Sequence, residues 1–111
     1  MPHLQLSLAG SASAFGVREI LEELVAAFSQ VETVDPGSLK AYVTQYPLAV
    51  FGEGHPDGMV HCTACVLSGR PLDLRRRMGQ VLADVLRKHY GEDPVKITVE
   101  IREMDRDTYI K

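Results

Sequence analysis

The segment Pro2-His3-Leu4-Gln5-Leu6-Ser7-Leu8 alternates polar and apolar residues, and His61-Cys62-Thr63-Ala64-Cys65-Val66 repeats this alternation in the second half of the chain. A period of two is typical of a β-strand with one buried face. Each segment leads through a short turn of small residues into a helix-like pattern of similar length. The sequence therefore predicts two β-α-β units in succession.

Six elements are predicted, in the order β-α-β-β-α-β. Strands are expected at residues 2–8, 39–46, 59–67 and 95–104, and helices at about 14–31 and 71–90. Loops are expected at 35–37, 52–58 and 91–94, where glycine and proline concentrate. Apolar residues at helical spacing mark the two buried stripes: Val17, Leu21, Leu24, Val25 and Phe28, then Leu74, Met78, Val81, Leu82, Val85 and Leu86.

Alternation gives the predicted sheet one apolar and one polar-mixed face. The apolar face carries Leu4, Leu6, Leu8, Ala41, Val43, Cys62, Ala64, Val66, Ile97, Val99 and Ile101. The polar-mixed face carries His3, Gln5, Ser7, Lys40, Tyr42, Thr44, His61, Thr63, Cys65, Thr98, Glu100 and Arg102. Both helices belong on the apolar face, which predicts a two-layer α/β (α+β) sandwich. We expect one domain, residues 1–111, with pseudo-repeat halves at about 2–51 and 58–105.

Length and charge narrow the class of protein. The chain has 111 residues, 45% of them hydrophobic and 24% charged, as in ordinary globular proteins. The formal net charge of −3 argues against nucleic acid as the main partner, because phosphate binding needs a basic field. No apolar stretch approaches the roughly 18 residues of a membrane helix, and no signal-peptide layout is present. No membrane partner is therefore expected, and a cytoplasmic location follows by default.

Pro2 is the first candidate for chemistry. Methionine aminopeptidases remove Met1 before small residues, proline among them, so the mature chain would begin with a secondary amine. An α-amino group titrates at about 7.7–8.0, far below a lysine, and burial or nearby cations lower that pKa further. Such an amine can act as a base at neutral pH. The alternative is that Pro2 only leads the first strand.

The motif Cys62-Thr63-Ala64-Cys65, preceded by His61, has the spacing of some metal and redox sites. On a strand, residues three apart point to opposite faces, so the two thiols cannot converge on one metal or form a disulfide. Two buried, reduced thiols and no metal site are therefore expected. His3 and His61 share the polar-mixed face, where they could meet across paired strands, and a structural role is expected for both.

Arg70 lies in Leu67-Ser68-Gly69-Arg70-Pro71, where the third strand ends and the second helix begins. The proline of this segment suits the first helical position, which puts Arg70 at or beside the helix N-cap. A cation there opposes the helix dipole and needs a negative partner. That partner is either a side chain such as Asp73 or Glu53, or the carboxylate of a ligand. The arginines at 75–77 are expected to be mostly solvated.

Four segments stand out together: Met1-Pro2-His3, Val60-His61-Cys62-Thr63, Gly69-Arg70 and Val99-Glu100-Ile101-Arg102-Glu103-Met104. In them the chain resembles the 5-carboxymethyl-2-hydroxymuconate isomerase family of the tautomerase superfamily. The resemblance implies tandem β-α-β units and a homotrimer with active sites between subunits. It also implies that the mature N-terminal proline, Pro2 here, moves a proton between oxygen and carbon of an enol or dienol acid.

In the same family, arginines hold the substrate's carboxylates. Arg70 matches one of these positions, while a second family arginine falls on Lys40 and a nearby one on Tyr42. A lysine keeps the charge but lacks the bidentate fork. The resemblance thus implies an isomerase of aromatic compound catabolism that acts on a small unsaturated 2-hydroxy or 2-oxo carboxylic acid. Pro2 would be catalytic, Arg70 and Lys40 would bind substrate, and no metal or organic cofactor is expected.

Two alternatives stay open at this point. One is another activity of the tautomerase superfamily, such as phenylpyruvate-type tautomerisation or dehalogenation. The other is a non-catalytic module that binds a small ligand, because ferredoxin-like regulatory domains share the β-α-β-β-α-β order.

Overall fold

The computed structural model of the chain describes residues 2–14, 16–53, 57–91 and 94–111. Within these ranges the strands are β1 (His3–Gly10), β2 (Lys40–Tyr46), β3 (Gly58–Leu67) and β4 (Val95–Met104), and the α-helices are α1 (Val17–Ser29) and α2 (Leu72–Tyr90). Short 3-10 helices cover Ser11–Ala14 and Pro36–Ser38. The predicted order and the two-layer α/β class are confirmed. Parts of the predicted first helix and of the loops at 52–58 and 91–94 lie outside the described residues.

Both helices begin slightly later than predicted. The first turn after β1 is a separate 3-10 helix, entered through Gly10 at φ +66, where a Cβ would lie 2.3 Å from the Asp57 carbonyl oxygen. Only glycine fits this close approach, so the chain turns there before α1 starts. Pro71 is the N-cap of α2 with an extended ψ of 158°, one position before the predicted place. Neither of the two described helices is long and apolar enough to cross a membrane.

The sheet has the strand order β2-β1-β3-β4. β1 is parallel to β2, β3 is parallel to β4, and the central β1–β3 pair is antiparallel, with Leu6 opposite Cys62. Each parallel pair is joined by its own helix. This symmetric order is what a repeated β-α-β unit produces, and the pseudo-repeat of residues 2–51 and 58–105 stays a prediction.

The core fills the space between the sheet and the two helices. Side chains of β1 and β3 contact buried residues of α1 and α2, as the predicted apolar face requires: Leu4, Leu6, Leu8, Val60, Cys62, Ala64, Val66, Ile20, Leu24, Phe28, Leu74, Met78, Leu82, Leu86 and Tyr90. In α1 the predicted stripe is shifted, because Ile20 is buried while Val25 lies beside Ala41 in a groove of about 740 Å³ at the sheet edge. The buried Tyr90 hydroxyl donates to the Ala12 carbonyl over 3.0 Å.

The two cysteines point to opposite faces of β3, as predicted. Cys62 lies in the core, whereas Cys65 faces the other side of the sheet, and both are free thiols. Burial raises the pKa of the Cys62 thiol to about 12, so it stays protonated at neutral pH. The two histidines, which could have met across paired strands, lie apart, because the register pairs His3 with Cys65 and His61 with Ser7.

Candidate active site

Pro2, Lys40 and Arg70 lie at one end of the sheet. In the parallel β1–β2 pair His3 is opposite Lys40, and the Lys40 backbone N–H donates to the Pro2 carbonyl over 3.1 Å. Because β3 runs antiparallel to β1, it ends where β1 begins, and the segment that leads to Arg70 starts there. Pro2 is buried, Arg70 is half-buried and Lys40 is exposed. Met1 lies outside the described residues.

The Arg70 guanidinium joins the two chain segments that flank the start of β1. Its Nε donates to Thr33 Oγ1 over 2.9 Å and its Nη2 donates to the Thr33 carbonyl over 3.2 Å. Its Nη1 donates to the carbonyl of Leu67, the last residue of β3, over 3.0 Å. Thr33 belongs to the loop that leads into β2. The side chain therefore links that loop to the end of β3, which lies beside the start of β1.

The predicted acidic partners of Arg70 are wrong. Neither Asp73 nor Glu53 pairs with it, and no carboxylate of the described residues lies within 4.0 Å of its guanidinium. Its three hydrogen bonds run to neutral oxygens, which leave the positive charge uncompensated. Of the two possibilities that the sequence left open, an acidic side-chain partner is therefore not found among the described residues, and a ligand carboxylate stays a prediction.

The loop that receives Arg70 is held in an unusual conformation. Thr33 has φ 71°, a left-handed conformation that is rare for a β-branched residue. The neighbouring Glu32 accepts a hydrogen bond from Arg77 of α2 over 2.6 Å, which ties the loop to that helix. Backbone strain of this kind persists where the surroundings enforce it, and it clusters at functional sites. Nothing in the sequence pattern indicated a role for Thr33.

The arginines at 75–77 contribute more to this end of the sheet than predicted. Arg75 Nε donates to the Arg70 carbonyl over 3.1 Å, and its Nη1 lies 3.7 Å from Glu103. Glu103 also accepts from the Gly69 backbone N–H over 3.4 Å. These contacts hold the backbone of residues 69 and 70 in place. Arg76 and Arg77 are exposed, in agreement with the prediction that the run is mostly solvated.

Arg106 is a further cation at this end that the sequence analysis missed. Its Nε donates to the Ser68 carbonyl, and a Cβ built on Gly69, which has φ +115, would lie 3.5 Å from that nitrogen. Burial lowers the pKa of Arg70 and the charge of Arg106 lowers it further, yet a guanidinium remains protonated at neutral pH. Lys40 donates to the Ser38 carbonyl over 3.2 Å. Among the described residues none of these three cations has an acidic partner, so the site favours an anion.

A chain of hydrogen bonds runs across the outer face beside this site. Gln5 Nε2 donates to the Tyr42 hydroxyl over 2.9 Å, and that hydroxyl lies 3.2 Å from His3 Nδ1. His3 Nε2 is hydrogen-bonded to the Tyr109 hydroxyl over 2.8 Å, which ties the C-terminal segment to β1. Burial lowers the pKa of His3, and Lys40 lowers it further. Tyr42 therefore orients His3 on this face.

His61 belongs to a separate polar cluster on the other half of the same face. Its Nδ1 lies 2.7 Å from Thr98 Oγ1 and its Nε2 lies 3.2 Å from Glu100. Arg102 donates to the same carboxylate over 2.9 Å. The described part of the chain holds no group of three or more histidine, cysteine or acidic side chains able to bind a metal ion.

The fold, a four-stranded mixed sheet with two helices, is tautomerase-like. The structure is similar to that of a 5-carboxymethyl-2-hydroxymuconate isomerase from Deinococcus radiodurans R1, with a TM-score of 0.86 and 20% identity over 99% of this chain and 87% of that one. A 5-carboxymethyl-2-hydroxymuconate delta-isomerase aligns with a TM-score of 0.78 and 17% identity, over 100% of this chain and 87% of that one. A fused 4-OT in its wild-type symmetric trimer aligns with a TM-score of 0.69 and 17% identity, over 94% of this chain and 86% of that one. No protein-family model and no curated protein sequence matches the chain.

The lowered pKa of His3 predicts a pH dependence of stability. As the pH falls below about 6.5, the unfolded chain takes up this proton before the folded chain does, so the free energy of unfolding decreases. The loss ends once the pH is below the folded pKa. Urea denaturation at several pH values should show a shallower decrease for His3→Gln than for the parent, while His61→Gln keeps the contribution of His3. Equal pH slopes for the parent and His3→Gln would contradict this assignment.

Proposed function

We propose that the protein is a cofactor-independent isomerase of the tautomerase type, which moves a proton between oxygen and carbon of a small unsaturated 2-hydroxy or 2-oxo carboxylic acid. The observation that carries the proposal is the Arg70 guanidinium, which joins the segments on both sides of the start of β1 and lacks an acidic partner among the described residues. It brings an anion-binding group to the strand end from which the Pro2 amine would act.

In the proposed mechanism the amine of Pro2, free after removal of Met1, is first the base and then the acid. It takes the proton from the substrate hydroxyl or from carbon, and it returns a proton to the other end of the conjugated chain. The buried setting of Pro2 and the cations beside it disfavour the ammonium form, so the amine is available at neutral pH.

The cations supply binding and electrostatic stabilisation. Arg70 holds the carboxylate next to the reacting carbons, and its fixed positive charge stabilises the negative charge that develops on the dienolate. Lys40 begins β2 directly beside Pro2 and serves as a second, more adaptable contact. We propose that the protein acts in the cytoplasm and takes part in the breakdown of aromatic compounds.

We also propose that the active form is a homotrimer whose sites are completed by a neighbouring subunit. A single chain exposes large apolar side chains in the segment that runs from the last residue of β2 to Val50, with Tyr46 49%, Leu48 81% and Val50 89% exposed. Beside them lies a shallow groove of about 330 Å³ on the outer face, between this segment and Met59. Apolar surface of this kind is typical of an interface, and a fused 4-OT with the same fold is a symmetric trimer.

The role of the amine predicts that removal of Met1 is essential for activity. An ultraviolet assay on 2-hydroxydienoates and phenylenolpyruvate should detect turnover with Met-free protein and none with Met-retained protein, although both are folded. Pro2→Ala should leave a weakened rate, because a primary amine still accepts the proton. The acidic limb of kcat/KM should lie below about pH 7.7, the lower end of the ordinary α-amino range. If the Met-retained protein is equally active, the amine is not the base.

The role of Arg70 predicts a selective loss of activity. Arg70→Ala should lower kcat/KM by roughly tenfold to a hundredfold, since a hydrogen bond to a charged group contributes about 1.5–3 kcal/mol. The circular dichroism spectrum should be unchanged, because the side chain contacts only the loop at Thr33 and the last residue of β3. Arg76→Ala, on an exposed helix position nearby, is the matched control and should retain full activity. Full activity of Arg70→Ala on every accepted substrate would reduce Arg70 to a structural link.

The proposed assembly predicts a mass of three chains, or a multiple of three, in light scattering at micromolar concentration. Leu48→Asp should shift the distribution toward smaller species and lower activity together, because it puts a charge into the apolar segment. Leu72→Asp, at a half-exposed position on α2, is the control and should leave the mass unchanged. A stable monomer for the parent chain would rule out both the trimer and the shared site.

A further inference from the structure

We propose that His3, held between the hydroxyl groups of Tyr42 and Tyr109, is a positioning residue that fixes the start of β1 and thereby sets the orientation and hydration of the Pro2 amine. The inference rests on the proposed function, because it assigns a positioning residue to the same amine base. It uses contacts on the outer face of the sheet that the proposed mechanism leaves without a role.

The His3 ring is held on two sides by aromatic side chains. Its Nδ1 lies 3.2 Å from the Tyr42 hydroxyl, and its Nε2 lies 2.8 Å from the Tyr109 hydroxyl. Both phenol rings also meet the imidazole edge to face, with ring centroids 6.0 Å apart in each pair. Two hydrogen bonds and two edge-to-face contacts restrict rotation of the side chain, so the ring anchors the backbone of His3.

Tyr109 reaches His3 from the other side of the sheet. It belongs to the segment 105–111 after β4, in which Tyr109 is half-buried and the other residues are exposed. β3 separates β4 from β1, so this segment passes the end of β3 before Tyr109 bonds to His3. The backbone N–H groups of Tyr109 and Thr108 donate to the Asp105 carbonyl over 3.0 and 3.3 Å, and this turn orients the tyrosine. Tyr109 is therefore the point at which the segment is attached to β1.

The direction of the hydrogen bonds favours a neutral His3. Gln5 Nε2 donates to the Tyr42 oxygen over 2.9 Å, which leaves the Tyr42 O–H free to donate to His3 Nδ1. The Nε2–H of the neutral ring then donates to the Tyr109 oxygen, so each of the three hydrogen bonds has one donor and one acceptor. Burial lowers the pKa of His3 and the charge of Lys40 lowers it further, in agreement with this assignment.

The other groups that face His3 lie in the same row across the sheet. Lys40 is opposite it on β2, and Cys65 is opposite it on β3. Burial raises the pKa of the Cys65 thiol, which stays protonated at neutral pH. Beyond Cys65, Arg102 on β4 donates to Glu100. Among the described residues of this row, Lys40 is thus the uncompensated charge, and the His3 ring adds no second one beside the amine.

The position of His3 affects the amine because Pro2 and His3 share one peptide unit. The Pro2 carbonyl accepts from the Lys40 backbone N–H, and its nitrogen contributes no donor to the strand ladder. With His3 held, the buried Pro2 is kept away from water. Release of the ring would let the strand end fray and hydrate the amine. Its pKa would then rise toward the ordinary α-amino range of about 7.7–8.0, and its orientation would become less uniform.

The test uses Met-free protein with isotopically labelled proline, in which the Pro2 nitrogen is the only proline nitrogen that is not an amide. NMR titration of this nitrogen measures the pKa of the amine without turnover. Tyr109→Phe, which removes one oxygen atom, and His3→Gln should each raise that pKa toward about 7.7 and shift the acidic limb of kcat/KM in the same direction. At the optimum pH, kcat should fall roughly tenfold while KM changes less than about twofold, because Arg70 is unaltered.

Two further variants complete the design. Tyr109→Phe combined with His3→Gln should lose no more activity than His3→Gln alone, because Tyr109 acts through His3. Ile110→Ala is the matched control, since it changes the next residue of the same segment, which is 91% exposed. It should keep the amine pKa and the kcat of the parent.

Three outcomes would overturn the role of His3: an unchanged amine pKa in Tyr109→Phe, losses that multiply in the double variant, or a rise in KM with kcat unchanged. Lower stability with an unchanged amine pKa is what a purely structural contact would give. A raised amine pKa in the variants, without turnover of any substrate by the parent, would refute the proposed function but keep His3 as a positioning residue. Turnover with an amine pKa that the variants do not move would refute only the role of His3.

Discussion

The antiparallel pairing of β1 with β3 is the constraint on which the rest of the structure depends. It sets Leu6 opposite Cys62, so the apolar sides of both central strands face the helices and form one core. A slip of one residue would turn every side chain of one strand to the other face. The same pairing makes β3 end where β1 begins, and this brings the segment with Arg70 to the strand end occupied by Pro2.

Periodicity was sufficient to predict the elements and the faces of the sheet, because burial imposes a period of two on strands and about 3.6 on helices. Pro2 became a candidate through its position behind Met1 and Arg70 through its place at the start of the second helix, whereas Lys40 was implied only by the family resemblance. Periodicity could not predict that His3 and His61 stay apart, since that depends on register. Thr33 and Arg106 lie in irregular segments that carry no periodic signal, so only the folded chain shows their contacts.

The Pro2 end of the sheet departs from the charge balance found elsewhere in the molecule. On the outer face and along the helices, basic side chains lie near acidic ones, as in the contacts of Glu100 and Glu23. At the Pro2 end, Lys40, Arg70 and Arg106 have no such partners among the described residues, and Thr33 adopts a strained backbone conformation. Local features that disfavour the folded chain are retained where a ligand or a reaction uses them.

The neutral acceptors of Arg70 have a consequence for recognition. A guanidinium held by a glutamate would be oriented, but an incoming carboxylate would have to compete with that glutamate. Carbonyl and hydroxyl oxygens orient the group through three hydrogen bonds and do not neutralise it. The rotamer entropy of this long side chain is therefore lost during folding, before any ligand arrives. Association with the proposed carboxylate would then require little reorganisation on the protein side.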